Sequence, residues 1–189
     1  MKQKISIVVA LLLLVVTAAV YRLIPGRPFG FAPQIAMALF GGAVFVHNKK
    51  WAFALPVISM FLSDLLFQVL YSANLSTTPG FYEGQWQNYL LFALLTVIGF
   101  AVKKEKVLSI AAGTLVAPTV YFLLSNSLVW LSGGGYQRPK TFSGFIQCMN
   151  DGIPFYGGSV AATVVFGAVL FGGYYLIKKS QTATGHQMA

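Results

Sequence analysis

Acidic residues are scarce in this chain: Asp64, Glu83, Glu105 and Asp151 are all that 189 residues contain, and charged residues of both signs make up only 9%. An ordinary soluble domain carries roughly 25% charged residues. A chain that is 57% hydrophobic with so little charge cannot cover itself with polar surface, so its expected solvent is lipid. Cysteine is nearly absent, and a lone Cys148 excludes an internal disulfide or a multi-cysteine zinc site. Histidine occurs only as His47, in a short polar turn, and His186, in a polar tail, so neither can serve a distant Ser or Cys nucleophile. The segment "GGGYQRPKT" (133–141) has Pro139 where a phosphate loop requires glycine. An enzyme is not expected on these grounds, and no cofactor or metal is implied.

Positive charge is present, with a formal net charge of +9. The thirteen Lys and Arg residues sit in small groups between apolar runs rather than on one tail, which argues against a nucleic-acid partner. Those runs cover 5–24, 31–46, 51–71, 88–102, 107–131 and 159–177. A helix needs about 20 apolar residues to cross a bilayer. Backbone groups in lipid must be bonded within their own segment, and the ten-residue alternation of a barrel is missing. The expectation is therefore an all-α polytopic membrane protein: one transmembrane domain over 1–189, a bundle of six helices. Lys2, Lys4, Lys49, Lys50, Lys103, Lys104, Lys106, Lys178 and Lys179 fall on one side of these spans, against Arg22, Arg27, Arg138 and Lys140 on the other. The positive-inside rule then places both termini in the cytoplasm. The alternative for residues 1–18 is a cleaved signal peptide, whose shape "MKQK" plus an apolar core resembles.

The connections expected on the outer side are 25–30, 72–87 and 132–158, the last two long and rich in Gly, polar and aromatic residues. Long loops on one face commonly carry function. Phe142, Phe145, Ile146 and Met149 recur at helical spacing and predict a short amphipathic helix lying over that face. Within the third span stands Asp64, about 10 Å below its outer end at 1.5 Å per residue. An acid near mid-membrane costs about 2.5 to 3.5 kcal/mol on insertion scales, so it should face the bundle interior with a partner. Arg22, in the last turn of the first span, is the expected partner, and the pair would floor an outward-opening cavity.

Polar and aromatic groups at the same level complete the expected binding set: Arg22, Arg27, Phe31, Asp64, Tyr82, Trp86, Asn126, Trp130, Tyr136, Cys148, Asn150, Asp151 and Phe155. A mostly apolar pocket with a few convergent polar groups is the usual form of a small-molecule site.

The blocks "RLIPGRPFGFAPQIAMALFGGAVF" (22–45), "LPVISMFLSD" (55–64) and "CMNDGIPFYGGSVAATVVFGAVLFGGY" (148–174) resemble a family of small bacterial transport proteins related to the substrate-specificity (S) components of energy-coupling factor transporters. The chain departs from that pattern in the turn after Arg22, where Gly26 and Phe29 or Gly30 replace an expected His and Asn. It departs again at Ala162 and Thr163, where a Gly-Asp pair is expected. The resemblance implies a six-helix, bacterial inner-membrane protein that binds a vitamin or similar micronutrient under its outer loops. It also implies a coupling protein with two ATPases as partner, docked on small residues, here Ala36, Ala38, Gly41, Gly42 and Ala43. Cobalamin is a candidate ligand because Cys148 could approach its cobalt. Two alternatives stand beside this reading: a proton-coupled small-solute carrier using Asp64, and an integral membrane enzyme.

Overall fold

A computed structural model describes residues 2–22, 26, 28–77 and 79–187, and the surroundings of side chains for 8–18, 21, 26, 28–77 and 79–180. Six helices form among the described residues: α1 (Lys2–Arg22), α2 (Gln34–Val44), α3 (Lys49–Ser72), α4 (Gln85–Ala101), α5 (Val107–Ser132) and α6 (Phe142–Gln187). No strand occurs among them. Three segments, Lys49–Ser72, Val107–Ser132 and Phe142–Ser180, are long and apolar enough to cross a membrane.

The packing has one helix at the centre. Each of the other five packs against α2, and they pack against one another in the closed order α1, α3, α4, α5, α6 and back to α1. Composition explains the choice of centre. A helix that is apolar all round is buried, and Ile35 through Val44 are all buried. Its small residues let backbones approach: a Cβ on Gly42 would lie 2.8 Å from Gly99 Cα of α4, and one on Gly41 would lie 2.5 Å from Pro56 Cγ of α3. The outward faces of the ring are apolar as well, as Phe61, Leu65 and Val69 on α3 and Val165 and Val169 on α6 illustrate.

Two expectations are corrected. The run 31–46 yields a helix of only 11 residues, about 16 Å long, which cannot cross a bilayer alone. Phe31, Ala32 and Pro33 precede the helix, and it ends at Phe45. The amphipathic helix at Phe142, Phe145, Ile146 and Met149 is not a separate element in a loop 132–158. It is the first part of α6, which runs 46 residues without interruption, about 69 Å. The connection left between α5 and α6 is 133–141, where Gly133 takes the left-handed conformation (φ 76°) that ends α5. There the Gly134 N–H reaches the Val129 carbonyl, the closing bond of a Schellman motif.

The ends of the bundle differ. At one end lie the short turns 45–48 and 102–106, brought together where Lys104 Nζ donates to the Val44 carbonyl at 3.4 Å. At the other lie 28–33, 73–84 and 133–141. The first of these is pinned to α6: Ser159 Oγ donates to the Gly30 carbonyl at 3.1 Å, and the Phe29 and Phe155 rings lie 5.4 Å apart.

Candidate functional site

The ring helices outrun α2, and space remains beyond the amino-terminal end of α2. A cavity of about 670 Å³ occupies it at the loop-rich end. Gly30, Ala32, Gln34 and Ile35 form its floor, Phe92 of α4 and Tyr121, Ser125, Asn126 and Val129 of α5 one side, and Cys148, Asp151, Gly152, Phe155 and Ser159 of α6 the other, with Gly135 and Tyr136 above. The size matches a drug-sized ligand.

Each wall is held by local chemistry. Tyr121 stacks on Phe92 with 5.6 Å between centroids, and its hydroxyl donates to Asn88 Oδ1 at 3.2 Å. Asn88 Nδ2 in turn donates to the Tyr82 hydroxyl at 2.6 Å, so a chain of hydrogen bonds links the cavity wall to the 73–84 segment. Asn126 turns its amide nitrogen to the Phe122 carbonyl at 2.8 Å, and Gly152 lets α6 close onto the Asn126 side chain, where a Cβ would lie 2.8 Å from Cγ. Cys148 is buried, with Sγ 3.5 Å from the Asn126 carbonyl. Among the described residues no group of three or more His, Cys, Asp or Glu could hold a metal ion.

The 133–141 segment is clamped over the cavity from both sides. Arg138 donates to both oxygens of Asp151, Nε at 2.8 Å and Nη2 at 2.9 Å. This bidentate geometry raises the guanidinium further above its ordinary pKa, through the hydrogen bonds first. Trp130 Nε1 donates to the Pro139 carbonyl at 3.0 Å, and Lys140 Nζ lies 5.2 Å from the Trp130 ring centroid.

Of the residues singled out from sequence, Asn126, Tyr136, Cys148, Asp151 and Phe155 line this cavity. Trp130 braces the segment above it, and Tyr82 joins through Asn88. Phe31 instead packs against Phe166, 5.6 Å between centroids, while Trp86 and Asn150 are exposed and outside the lining. The Arg22 side chain and Arg27 lie outside the described residues, and the Arg22–Asp64 pair with them. Gln34, Tyr121 and Ser159 were missed. Gln34 carries the same signal that picked out Asp64, a polar side chain entering an apolar run.

Asp64 is not among the residues that line this cavity. It sits on α3, which packs against α1, α2 and α4 but not α5 or α6, and it is fully buried. Its Oδ2 accepts from Gln85 Nε2 at 2.6 Å and from the Tyr89 hydroxyl, both in the first two turns of α4. Gln85 Oε1 also receives the Tyr82 N–H at 3.2 Å. One turn along, Gln68 Oε1 receives the Gly80 and Phe81 N–H groups at 3.1 and 3.3 Å. A Cβ on Gly80 would sit 2.5 Å from the Gln68 nitrogen, so the loop lies directly on the α3 backbone. Asp64 and Gln68 thus tie the 73–84 segment to α3.

The five residues expected to form a coupling surface are corrected likewise. Ala36, Ala38, Gly41, Gly42 and Ala43 lie on the central helix, all of them buried, and nothing outside the bundle can reach them in this packing.

A family model described as a family of unknown function (DUF6580) matches residues 2–184. No curated protein and no solved structure matches the chain.

Proposed function

The chain belongs to the DUF6580 family along almost its whole length, and from that premise we propose that it is a membrane-embedded binding component for uptake of a vitamin-like small molecule. In this reading the six helices form one membrane bundle in a bacterial inner membrane. Both termini are cytoplasmic, and the cavity opens to the outer side beneath 133–141, with 28–33 in its floor. The observation that carries it is the cavity itself. Its lining is mostly apolar, with the Gln34, Tyr121, Ser125, Asn126 and Ser159 side chains converging on it, and the neighbouring segments are fastened to the helices: 28–33 to α6, 73–84 to α3 and α4, and 133–141 to α5 and α6. Such a site suits a ligand with a sizeable apolar body and a few hydrogen-bonding groups.

The same reading assigns the chain no energy source of its own. The turns at the opposite end span four and five residues, 45–48 and 102–106, which leaves no room there for an ATPase. A separate membrane coupling protein with two ATPases is the partner proposed, as in the energy-coupling factor systems that the sequence resembles. The docking face must lie elsewhere than α2.

The deciding experiment is mass spectrometry of small molecules that co-purify with the detergent-solubilised protein. A single compound in near-stoichiometric amount, chemically unaltered, is expected. It should be lost from Ala32→Phe, which places a large ring in the cavity. Purification of the wild type free of any such compound from cells grown in rich medium, or equal recovery with Ala32→Phe, would overturn the proposal.

A further inference from the structure

A second recess lies at the opposite end of the molecule, about 740 Å³, between α5 and α6. Its shape follows from where the two helices touch. They press together at Gly152 against Asn126, and again at Gly167, where a Cβ would lie 2.9 Å from Thr114 Cγ2. Beyond that point they part. A Cβ on Gly172, one and a half turns further along α6, would meet nothing within 4 Å.

The walls of the recess are apolar stripes. On α5, Val107, Ile110, Ala111 and Leu115 recur at helical spacing, and on α6 Val164, Ala168, Phe171 and Gly172 do the same. At the short-turn end the stripes give way to Lys104, Glu105, Tyr174, Tyr175 and Lys178. Neighbouring Lys103, Lys106 and Lys179 leave this rim with a clear excess of positive charge over the one carboxylate of Glu105. From Val107 to Leu115 the groove runs about 12 Å along α5.

We infer that this groove binds one anionic phospholipid, with an acyl chain between the two stripes and the phosphate at the lysine rim. The inference rests on the membrane reading above. A long apolar slot closed at one end by cations and tyrosine hydroxyls is complementary to an anionic lipid and poorly matched to a neutral one. Basic pockets between membrane helices on the cytoplasmic side bind such headgroups. The exposed apolar side chains at the same level agree, since Val107 and Leu108 are each 83% exposed and Tyr175 64%. In water these would be a liability, whereas at a bilayer boundary they are contacts.

The test titrates the purified full-length protein, in detergent, with dioleoylphosphatidylglycerol or dioleoylphosphatidylcholine and reads adduct masses by native mass spectrometry. The wild type is expected to bind the first lipid at least fivefold more tightly. The double variant Lys104→Gln/Lys178→Gln should lose that preference while binding the neutral lipid as before. Gly172→Leu, which builds into open space and should fold normally, should weaken both lipids. Equal binding of the two lipids by the wild type, or a preference that survives the lysine variant, overturns the inference. So does a Gly172→Leu effect on dimer mass without an effect on lipid, because the occupant would then be a second copy of the chain. Carbonate extraction of cell membranes separates the premise from the inference. Protein released by carbonate refutes the membrane reading and the lipid site together, and protein retained without lipid preference refutes only the site.

Discussion

Replacing Gly42 by alanine puts the central packing to its sharpest test. The new methyl would stand 2.8 Å from Gly99 Cα and 3.1 Å from Gly99 C, and closer still to the Thr96 carbonyl oxygen, all of them backbone atoms. Carbon atoms pack at about 3.5 to 4.0 Å, so α4 would have to withdraw from α2 by about 1 Å. A gap of that size forfeits a quarter to a half of each dispersion contact it opens, and the facing helices carry fully buried Leu39 and Leu95. Overpacking costs about 1 to 3 kcal/mol. The upper end applies because no side-chain rotation can relieve a backbone clash. Alanine recovers about 1 kcal/mol of helix propensity over glycine, which leaves a net loss of about 2 kcal/mol. The control is Gly157→Ala, on α6, where a Cβ meets nothing within 4 Å and the propensity gain of about 1 kcal/mol should be realised. Thermal unfolding in detergent, followed by tryptophan fluorescence, should lower the midpoint for Gly42→Ala by about 4 to 8 °C. Gly157→Ala should raise it. A Gly42→Ala protein as stable as Gly157→Ala would refute the close approach of α2 and α4.

Three further outcomes are expected. Asp64→Leu removes the carboxylate oxygen that accepts from both the Gln85 amide and the Tyr89 hydroxyl, at about 1 to 3 kcal/mol in all. Hydrogen exchange at the Gly80, Phe81 and Tyr82 amides should accelerate at least tenfold, and unchanged protection would show that the loop is held by something else. Gly30→Ala combines a left-handed backbone (φ 72°) with a methyl 2.9 Å from the Phe155 carbonyl carbon. Unfolding midpoint and ligand retention should fall together, by an amount set by strain of about 1 to 3 kcal/mol; ligand retention at the wild-type level would remove the turn from the site. Arg138→Ala breaks the clamp to Asp151 while leaving the cavity lining intact, so bound ligand should dissociate several-fold faster with little change in unfolding midpoint. An unchanged dissociation rate would assign the 133–141 segment no role as cover.

The helical class and the positions of the hydrophobic segments were legible from run length and composition alone, because those properties are local. What was not legible depended on neighbours. Gly152, Pro154, Gly157 and Gly158 look like punctuation between a surface helix and a span. In the fold two of these glycines mark close approach instead, Gly152 to Asn126 and Gly158 to the backbone of Phe29, and α6 runs through them. The small residues of α2 read equally as a docking face or as packing. Only the closed ring of five helices decides for packing. Asp64 was rightly marked as an acid needing partners. The partners described, Gln85 and Tyr89, are hidden in the sequence because Gln85 stands in the polar stretch 72–87, and only the fold shows it to open the next helix. Five of the sixteen lining residues, Asn126, Tyr136, Cys148, Asp151 and Phe155, stand out in the sequence as polar or aromatic residues near span ends. Gln34 and Ser159 required knowing that a short helix stops beneath them.

The continuity of α6 has a mechanical consequence. Phe155 and Ser159 border the cavity, Tyr175 and Lys178 border the recess at the far end, and from Phe155 to Lys178 is about 35 Å along one uninterrupted rod. Pivoted at its midpoint, such a rod swings its two tips in opposite directions, so that an inclination of about 10° carries each tip some 3 Å. Any tilt of α6 would therefore be felt in the upper chamber and the lower cleft together, with the contact between Gly167 and Thr114 close to its midpoint.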